Sequence, residues 1–258
     1  MITIITPTYN SKYFIDLQYQ RLRPILSDNI KWLIIEDASE DNTEELIKIF
    51  MCPYVKCYKL KKNGGPSKAR HIGAKIAESD YIFFLDADDV LLNSNFIQFI
   101  EYIKQNTSAD ISYYYAPTYT SNTMPTESEM VLYNNITCIN KPTDFIFNDM
   151  PNYSSLAVNR LYFINKVKEN DLEWGEDIVS YLQLSNYGVG QKWKMPVSCY
   201  IITGEGRGSA LSIKKRLNLF SELVKTSIYA PNKISSFCFS FFLIARYTLS
   251  YFYKKIRG

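Results

Sequence analysis

The chain has 258 residues, of which 47% are apolar and 15% aromatic, with a formal net charge of +3. This length suits one large or two small domains with a sizeable core, and so small a charge gives no electrostatic footprint for nucleic acid. Five cysteines (Cys52, Cys57, Cys138, Cys199 and Cys238) are odd in number and form no Cys-x-x-Cys pair, so neither a zinc site nor a disulfide framework is expected.

The opening Met1-Ile2-Thr3-Ile4-Ile5 is strand-like and lacks a basic leader, so it is not read as a signal peptide. With unpaired cysteines, a cytoplasmic, reducing compartment is expected. Ile2 to Thr6 forms a short strand that stops at Pro7, before the polar turn Thr8-Tyr9-Asn10. A helix runs from about Tyr13 to Leu26, weakened at its end by Pro24. Trp32 to Ile35 is a second strand, ending in Glu36-Asp37. Ser39 or Asp41 then caps a helix through about Phe50, with Glu44 and Glu45 in its first turn. Val55 to Leu60 is a third strand. Asn63-Gly64-Gly65-Pro66 opens another helix, where Ala69, Ile72, Gly73, Ile76 and Ala77 make one face of small apolar residues. His71, the lone histidine, is read as a surface residue of that helix.

Tyr81-Ile82-Phe83-Phe84-Leu85 reads as a buried strand, and it ends in Asp86-Ala87-Asp88-Asp89. Carboxylates this close repel and raise one another's pKa unless a cation is bound. Oxygen-rich sites suit hard divalent ions such as Mg2+ or Mn2+, which in turn hold phosphate oxygens. The plainer reading is a strand end whose Asp caps the next helix. That helix spans about Asn95 to Lys104, and a strand follows at Ile111 to Tyr115. Strand and helix thus alternate through about residue 115, so the fold class is α/β, a mostly parallel central sheet with helices on both faces. Ligands of such sheets bind beyond the carboxyl ends of the strands. The polar ends Pro7 to Asn10, Glu36 to Ser39 and Asp86 to Asp89 should converge there.

Residues 117 to 130 read as a long loop, and 131 to 170 as short strands and turns. Trp174-Gly175-Glu176-Asp177 introduces a helix from about Asp177 to Tyr187, closed by Gly188. From Leu211 onward two helices are expected, broken by Pro231. The apolar run Phe237 to Ala245 is interrupted by Arg246 and followed by Lys254, Lys255 and Arg257. It is too short to span a bilayer. It fits an interfacial helix with peripheral membrane contact, or a helix packed on the domain or in a homodimer interface.

Together these motifs resemble the family-2 glycosyltransferases, the inverting sugar transferases with the GT-A fold. The resemblance rests on Thr6-Pro7-Thr8-Tyr9-Asn10, on Ile35 to Asp41 (with Glu36 and Ala38 as departures), and on Asn63 to Gly73 (with His71 where Asn is usual). Asp86-Ala87-Asp88-Asp89 and the acidic pair Glu176-Asp177 complete it, and the match covers about residues 1 to 210. It implies a nucleotide-sugar donor, UDP-linked, a glycan or lipid-linked glycan acceptor, and Mn2+ or Mg2+ as cofactor, in bacterial surface polysaccharide assembly. It divides the chain into a nucleotide-sugar half (1–115), an acceptor half (116–210) and C-terminal helices (211–258). The implied donor-binding set is Pro7, Thr8, Tyr9, Asn10, Asp37, Gly64, Arg70, Asp86, Ala87, Arg207 and Ser209. Asp37 would accept the uracil N3–H, and Arg70 would sit near the nucleotide or its diphosphate. The loop of Arg207 and Ser209 would fold over the diphosphate. Asp88 would ligate the metal, with Asp86 on ribose or metal-bound water, while Asp89 orients the loop or caps the next helix. Asp177 would be the general base, with Glu176 next in line. A histidine that serves many members as a third metal ligand is absent. So is the Gln-x-x-Arg-Trp signature of processive synthases, of which Gln191-Lys192-Trp193 is a faint echo, so single-residue transfer is expected.

Two other readings stay open on the sequence. Asp86-Ala87-Asp88-Asp89-Val90 also mimics the nucleophile motif of haloacid-dehalogenase-like phosphatases. A non-catalytic, membrane-associated scaffold could keep the same fold. No Gly-x-Gly-x-x-Gly follows the first strand, which argues against a redox dinucleotide enzyme.

Overall fold

A computed structural model describes residues 1–108, 110–123, 125, 136–202 and 212–257. The chain runs β1 (Ile2–Thr8), α1 (Lys12–Leu22), β2 (Ile30–Glu36), α2 (Thr43–Phe50), β3 (Val55–Lys59), α3 (Gly65–Ile76) and β4 (Tyr81–Phe84). It continues through β5 (Val90–Leu91), α4 (Asn93–Gln105), β6 (Ile111–Tyr115), β7 (Tyr119–Ser121), β8 (Thr137–Ile139), α5 (Asp144–Phe147) and a 3-10 turn at Tyr153–Ser155. Last come β9 (Leu156–Asn159), α6 (Arg160–Lys166), α7 (Glu176–Tyr187), β10 (Val189–Lys192), β11 (Ser198–Ile201), α8 (Ile213–Ile228) and α9 (Lys233–Arg257).

Eight strands form one sheet in the order β3-β2-β1-β4-β9-β6-β10-β8. β1 pairs in parallel with both β2 and β4, and β2 with β3. β9 inserts antiparallel between β4 and β6, and β8 lies antiparallel on the β10 edge. Among the described residues these two strands alone are reversed, so the sheet is mostly parallel. A small second sheet, β5-β11-β7, lies apart from it.

Side chains alternate across each strand, so each strand feeds two cores. On one face Ile4, Trp32, Ile34 and Phe83 pack with Ile15 of α1, Ile47 of α2 and Phe96 and Phe99 of α4. On the other, Ile5, Leu33, Ile35, Ile82 and Phe84 pack with Ala69 and Ala74 of α3, Phe163 of α6, Leu182 of α7, and residues of α8 and α9. Helices therefore cover both faces. The small face expected for α3 lies against the sheet. A Cβ on Gly73 would stand 2.5 Å from Cγ2 of Ile5, a separation only glycine permits.

Several expectations change. α1 stops at Leu22, before Pro24 restricts the backbone. α2 has Asn42 at its N-cap in a left-handed conformation (φ +61), and Asp41 Oδ1 accepts the Thr43 N–H at 3.1 Å instead. The region 131–170 contains the helix α6, and its Phe163 ring lies 4.8 Å from the His71 ring. His71 is consequently buried. Nδ1 lies 2.8 Å from the Ser67 carbonyl oxygen and Nε2 3.0 Å from that of Val167.

The tail packs on the domain. Phe239 and Leu243 of α9 join Leu219 and Leu223 of α8 in the second core. Burying each such side chain contributes roughly 1.5–3 kcal/mol. Ser236 Oγ donates to Asn186 Oδ1 at 2.5 Å, the Thr143 N–H donates to Ser235 Oγ at 3.0 Å, and Arg216 Nη1 donates to the Tyr247 carbonyl at 2.9 Å. The outer side of α9 presents Ile234, Phe241 and Leu249, each at least 70% exposed. Among the described residues no helix is long and apolar enough to cross a membrane.

Candidate active site at the carboxyl edge of the sheet

β2, β1 and β4 are neighbours and parallel, so their carboxyl ends open on one edge, as their polar termini foretell. The Asp37 N–H donates to the Thr8 carbonyl at 2.8 Å. The Asn10 N–H donates to Ser39 Oγ at 3.0 Å, and Asn10 Oδ1 accepts the Glu40 N–H at 2.8 Å. Asn10 and Ala38 both hold positive φ, +49° and +60°. Backbone strain of this kind persists where surrounding bonds over-determine a loop, often at functional sites. Thr8 is buried and Tyr9 is 40% exposed at the mouth. Asp37 is buried too, and its two oxygens accept the N–H groups of Gly64 and Gly65, each at 2.8 Å. Burial raises its pKa despite these bonds. Each oxygen keeps a second lone-pair direction.

The end of β4 is held from two sides. The Asp86 N–H donates to Ser154 Oγ at 2.9 Å. Gln18 Nε2, from α1, donates to the carbonyls of Asp86 at 3.2 Å and Asp89 at 2.6 Å. Ala87 and Asp89 are buried, Asp86 is half-buried and Asp88 faces solvent. Burial and then the Asp86 charge push the Asp89 carboxyl well above its ordinary range. The N-cap of α4 is Leu92, so none of the three acids caps that helix. Asp89 instead orients the loop, hydrogen-bonded to the side chain of Ser154.

Arg70 joins this strand end to α7. Its Nη2 lies 2.6 Å from Asp86 Oδ1 and its Nη1 3.4 Å from Glu176 Oε1. The guanidinium carbon stands 3.8 Å over the Tyr153 ring. Asp86 and Glu176 raise the Arg70 pKa, although burial opposes them.

Gly175 (φ +81) makes the turn into α7, and a Cβ there would sit 3.0 Å from both methyls of Leu219. α8 therefore buttresses the turn that aims the acidic pair. Asp177 Oδ1 accepts the Ile178 N–H at 2.9 Å. Burial first, and the Glu176 charge second, push the Asp177 carboxyl up to about 7. The Trp174 ring meets Tyr247 of α9 edge-on, with centroids 5.2 Å apart. The Asp177 charge contributes to a raised Tyr247 pKa, after burial.

The structure thus gathers Pro7, Thr8, Tyr9, Asn10, Asp37, Gly64, Arg70, Asp86, Ala87, Asp88, Glu176 and Asp177 along one edge. Arg207 and Ser209 lie outside the described residues. Sequence reasoning missed Gln18, Tyr153, Ser154 and Tyr247, which no local motif marks. Among the described residues no group of three or more His, Cys, Asp or Glu is placed to hold a metal. An open pocket of about 550 Å³, lined by Met1, Asp80, Lys104 and Tyr162 among others, lies at the amino edge of the sheet, away from this chemistry.

A mostly parallel sheet that brings an Asp-x-Asp strand end opposite an acidic helix start defines the class of GT-A glycosyltransferases. Residues 3–159 match Glycosyl transferase family 2, and the chain belongs to that family. It is 33% identical over 115 residues to the poly(ribitol-phosphate) beta-N-acetylglucosaminyltransferase TarP of Staphylococcus aureus, covering 42% of this chain and 34% of that one. The solved structure of S. aureus TarS residues 1–349 shares the fold, with a TM-score of 0.68 and 15% identity, covering 91% of this chain and 68% of that one. TarS has also been solved with UDP-GlcNAc. The mannosyltransferase PcManGT of Pyrobaculum calidifontis, solved with GDP-Man and Mn2+, superposes with a TM-score of 0.60 at 13% identity, covering 94% of this chain and 68% of that one. The chain spans less than half the length of the curated relatives it matches.

Proposed function

We propose that the chain transfers a sugar, with inversion, from a UDP-linked donor to a hydroxyl of a glycan or lipid-linked glycan. The observation that carries this reading is the juxtaposition, across Arg70, of the Asp86 strand end and the Glu176-Asp177 helix start. The relatives' names, with their ribitol-phosphate acceptor and UDP-GlcNAc donor, support a UDP-N-acetylhexosamine and a surface glycopolymer as the first substrates to test.

In this reading the uracil lies between the backbone of Thr8 and Tyr9 and the Asp37 carboxylate. Gly64 and Gly65 fix that carboxylate, and its remaining lone pairs face the N3–H. Asp86 orients the ribose side. Asp177 takes the acceptor hydroxyl's proton as the oxygen attacks the anomeric carbon opposite the departing UDP. A base poised near neutrality serves both halves of that task, since it is ionised enough to accept a proton and basic enough to want one. The transition state resembles the oxocarbenium ion of glycoside hydrolysis. The donor set of Asp88 and Asp86 is all hard oxygen. It fits Mn2+ or Mg2+, which bind through one or two carboxylates and complete their shells with phosphate and water. Such an ion would stabilise the charge on the leaving diphosphate.

The same reading places the outer side of α8 and α9 against an anionic membrane leaflet. α9 carries Lys233, Arg246, Lys254, Lys255 and Arg257 and no acidic residue, alongside the exposed Ile234, Phe241 and Leu249. A homodimer is the competing use of this surface. The test is a thermal-shift panel of UDP-glucose, UDP-galactose, their N-acetylhexosamine counterparts and GDP-mannose, with Mn2+ or EDTA, since a ligand of the folded state raises its stability. A UDP-sugar that stabilises the protein and releases UDP on turnover supports the reading. No shift with any member sinks it.

A further inference from the structure

We propose that Arg70 is a positioning residue, a buried brace that fixes the donor-side carboxylate Asp86 relative to the acceptor-side pair Glu176-Asp177, and is not a ligand of the nucleotide. The inference rests on the glycosyltransferase reading above and deepens it. The Arg70 side chain is 4% exposed. Its two terminal nitrogens are committed to different elements, Nη2 to the end of β4 and Nη1 to the first turn of α7. One flat face is covered by Tyr153, whose own ring packs 5.5 Å from Tyr181 of α7. Nε is enclosed with no hydrogen-bond partner. A diphosphate ligand would need an open edge of the guanidinium, and this one is closed.

The arrangement exploits what distinguishes arginine from lysine. A planar fork can hold two carboxylates at a fixed separation, whereas an ammonium is a single point charge on a flexible stem. Glu176 and Asp177 are adjacent, so holding Glu176 also holds the helix turn from which Asp177 projects. Ser180 Oγ and Asn170 Nδ2 donate to the Glu176 carbonyl at 3.0 and 3.2 Å, which anchors the backbone of that turn. The brace therefore sets the gap in which the acceptor oxygen must meet the anomeric carbon.

The test compares wild type, Arg70→Lys, Glu176→Gln and the double variant, using UDP for affinity by calorimetry and UDP-N-acetylglucosamine for turnover, with water as acceptor if no glycan is in hand. Misplacing reacting groups by about 1 Å can cost a hundredfold in rate. Arg70→Lys should thus lower kcat about a hundredfold while UDP affinity and donor KM stay within about threefold. The double variant should be no worse than Arg70→Lys alone, because both substitutions cut one brace. If Arg70→Lys does not fold, Glu176→Gln alone should still show the kcat loss with UDP affinity kept. A tenfold or greater loss of UDP affinity with kcat preserved would overturn the brace and make Arg70 a nucleotide ligand. Losses that multiply in the double variant would overturn it as well. A wild type that binds neither UDP nor UDP-N-acetylglucosamine refutes the proposed function itself, an outcome distinct from either of these.

Discussion

The pH dependence of turnover is the sharpest consequence of the site. An ordinary aspartate, at 3.8, would be fully ionised from pH 6 to pH 8 and would leave the rate flat. Burial and the Glu176 charge bring Asp177 to about 7. Its ionised fraction should then climb from about one-eleventh at pH 6 to about ten-elevenths at pH 8, so kcat/KM should rise about tenfold across that window. The same displacement has a sign for stability. A carboxyl raised on folding binds its proton more tightly in the native state, so it costs stability as pH rises through the interval from 3.8 to about 7. The ceiling on that cost is about 4 kcal/mol. Asp177→Asn removes both the base and the cost. It should lose about 10²–10⁴ in kcat, yet unfold at a higher temperature than wild type at pH 8. Initial rates of UDP release from pH 5.5 to 8.5 at constant ionic strength, with melting curves at pH 5 and pH 8, give both quantities. A flat rate profile, or transfer by Asp177→Asn within about tenfold of wild type, would remove Asp177 from the base role and bring Glu176 forward.

Further outcomes follow from the same geometry. Asp88→Asn should weaken UDP binding in Mn2+ and hardly at all in EDTA, and unchanged Mn2+ dependence would take Asp88 out of the metal site. Trp174 precedes the acidic turn and meets Tyr247 edge-on; with this pair taken as a wall of the acceptor side, Tyr247→Ala and Trp174→Ala should raise acceptor KM by about 2–10-fold, the size of a lost aromatic contact, with UDP affinity unaltered. A change confined to UDP affinity would place that aromatic pair on the donor side. Deletion after Ala230 should yield insoluble or unfolded protein, because it strips Phe239 and Leu243 from the core. A folded, nucleotide-binding truncate would show α9 to be an appendage. Reversing Lys254, Lys255 and Arg257 to Glu should reduce co-sedimentation with anionic liposomes, each cation near the surface being worth about 1 kcal/mol. Wild-type protein that ignores such liposomes would leave the exposed side of α9 to a second copy of the chain.

What the sequence disclosed is what local pattern encodes. Apolar runs ending in Pro7, Glu36 and Asp86 mark strand ends, and alternation with helices makes those strands parallel neighbours. Their convergence follows without any tertiary information. The positive φ at Ala38 was hidden because alanine carries no mark of left-handed backbone. The burial of His71 was hidden because it depends on α6, whose Arg160–Lys166 stretch is too short to show a helical period. The tail was ambiguous for a different reason. Ser235, Ser236 and Ser240 interrupt its apolar face and read as polar, yet two of them hydrogen-bond across to Thr143 and Asn186 and the third meets Ser227. The partners of Arg70 lie 16 and 106 residues away, a separation that no local motif can bridge.

The charges of the site also bear on the divalent ion proposed above. Among the described residues five carboxyl groups stand here, at Asp86, Asp88, Asp89, Glu176 and Asp177, and Arg70 is the cation enclosed among them. Asp89 and Asp177 are both pushed toward their neutral forms, with burial the first cause and neighbouring carboxylates the next. Shifts in this direction favour bound protons, which relieve part of the repulsion. A nucleotide diphosphate would add further negative charge beside Asp86 and Asp88. Like charges at such distances interact by several kcal/mol when partly removed from water. Arg70 cannot relieve this, because its guanidinium is already divided between Asp86 and Glu176. A divalent cation entering with the diphosphate would reverse the sign of that interaction. Its charge would also favour the ionised forms of nearby carboxylates, Asp177 among them. The rise of kcat with pH should accordingly lie lower in saturating Mn2+ and donor than the rise of kcat/KM measured for the unliganded enzyme. If the two profiles coincide, the ion and the diphosphate do not act on the base, and the metal's part is confined to holding the leaving group.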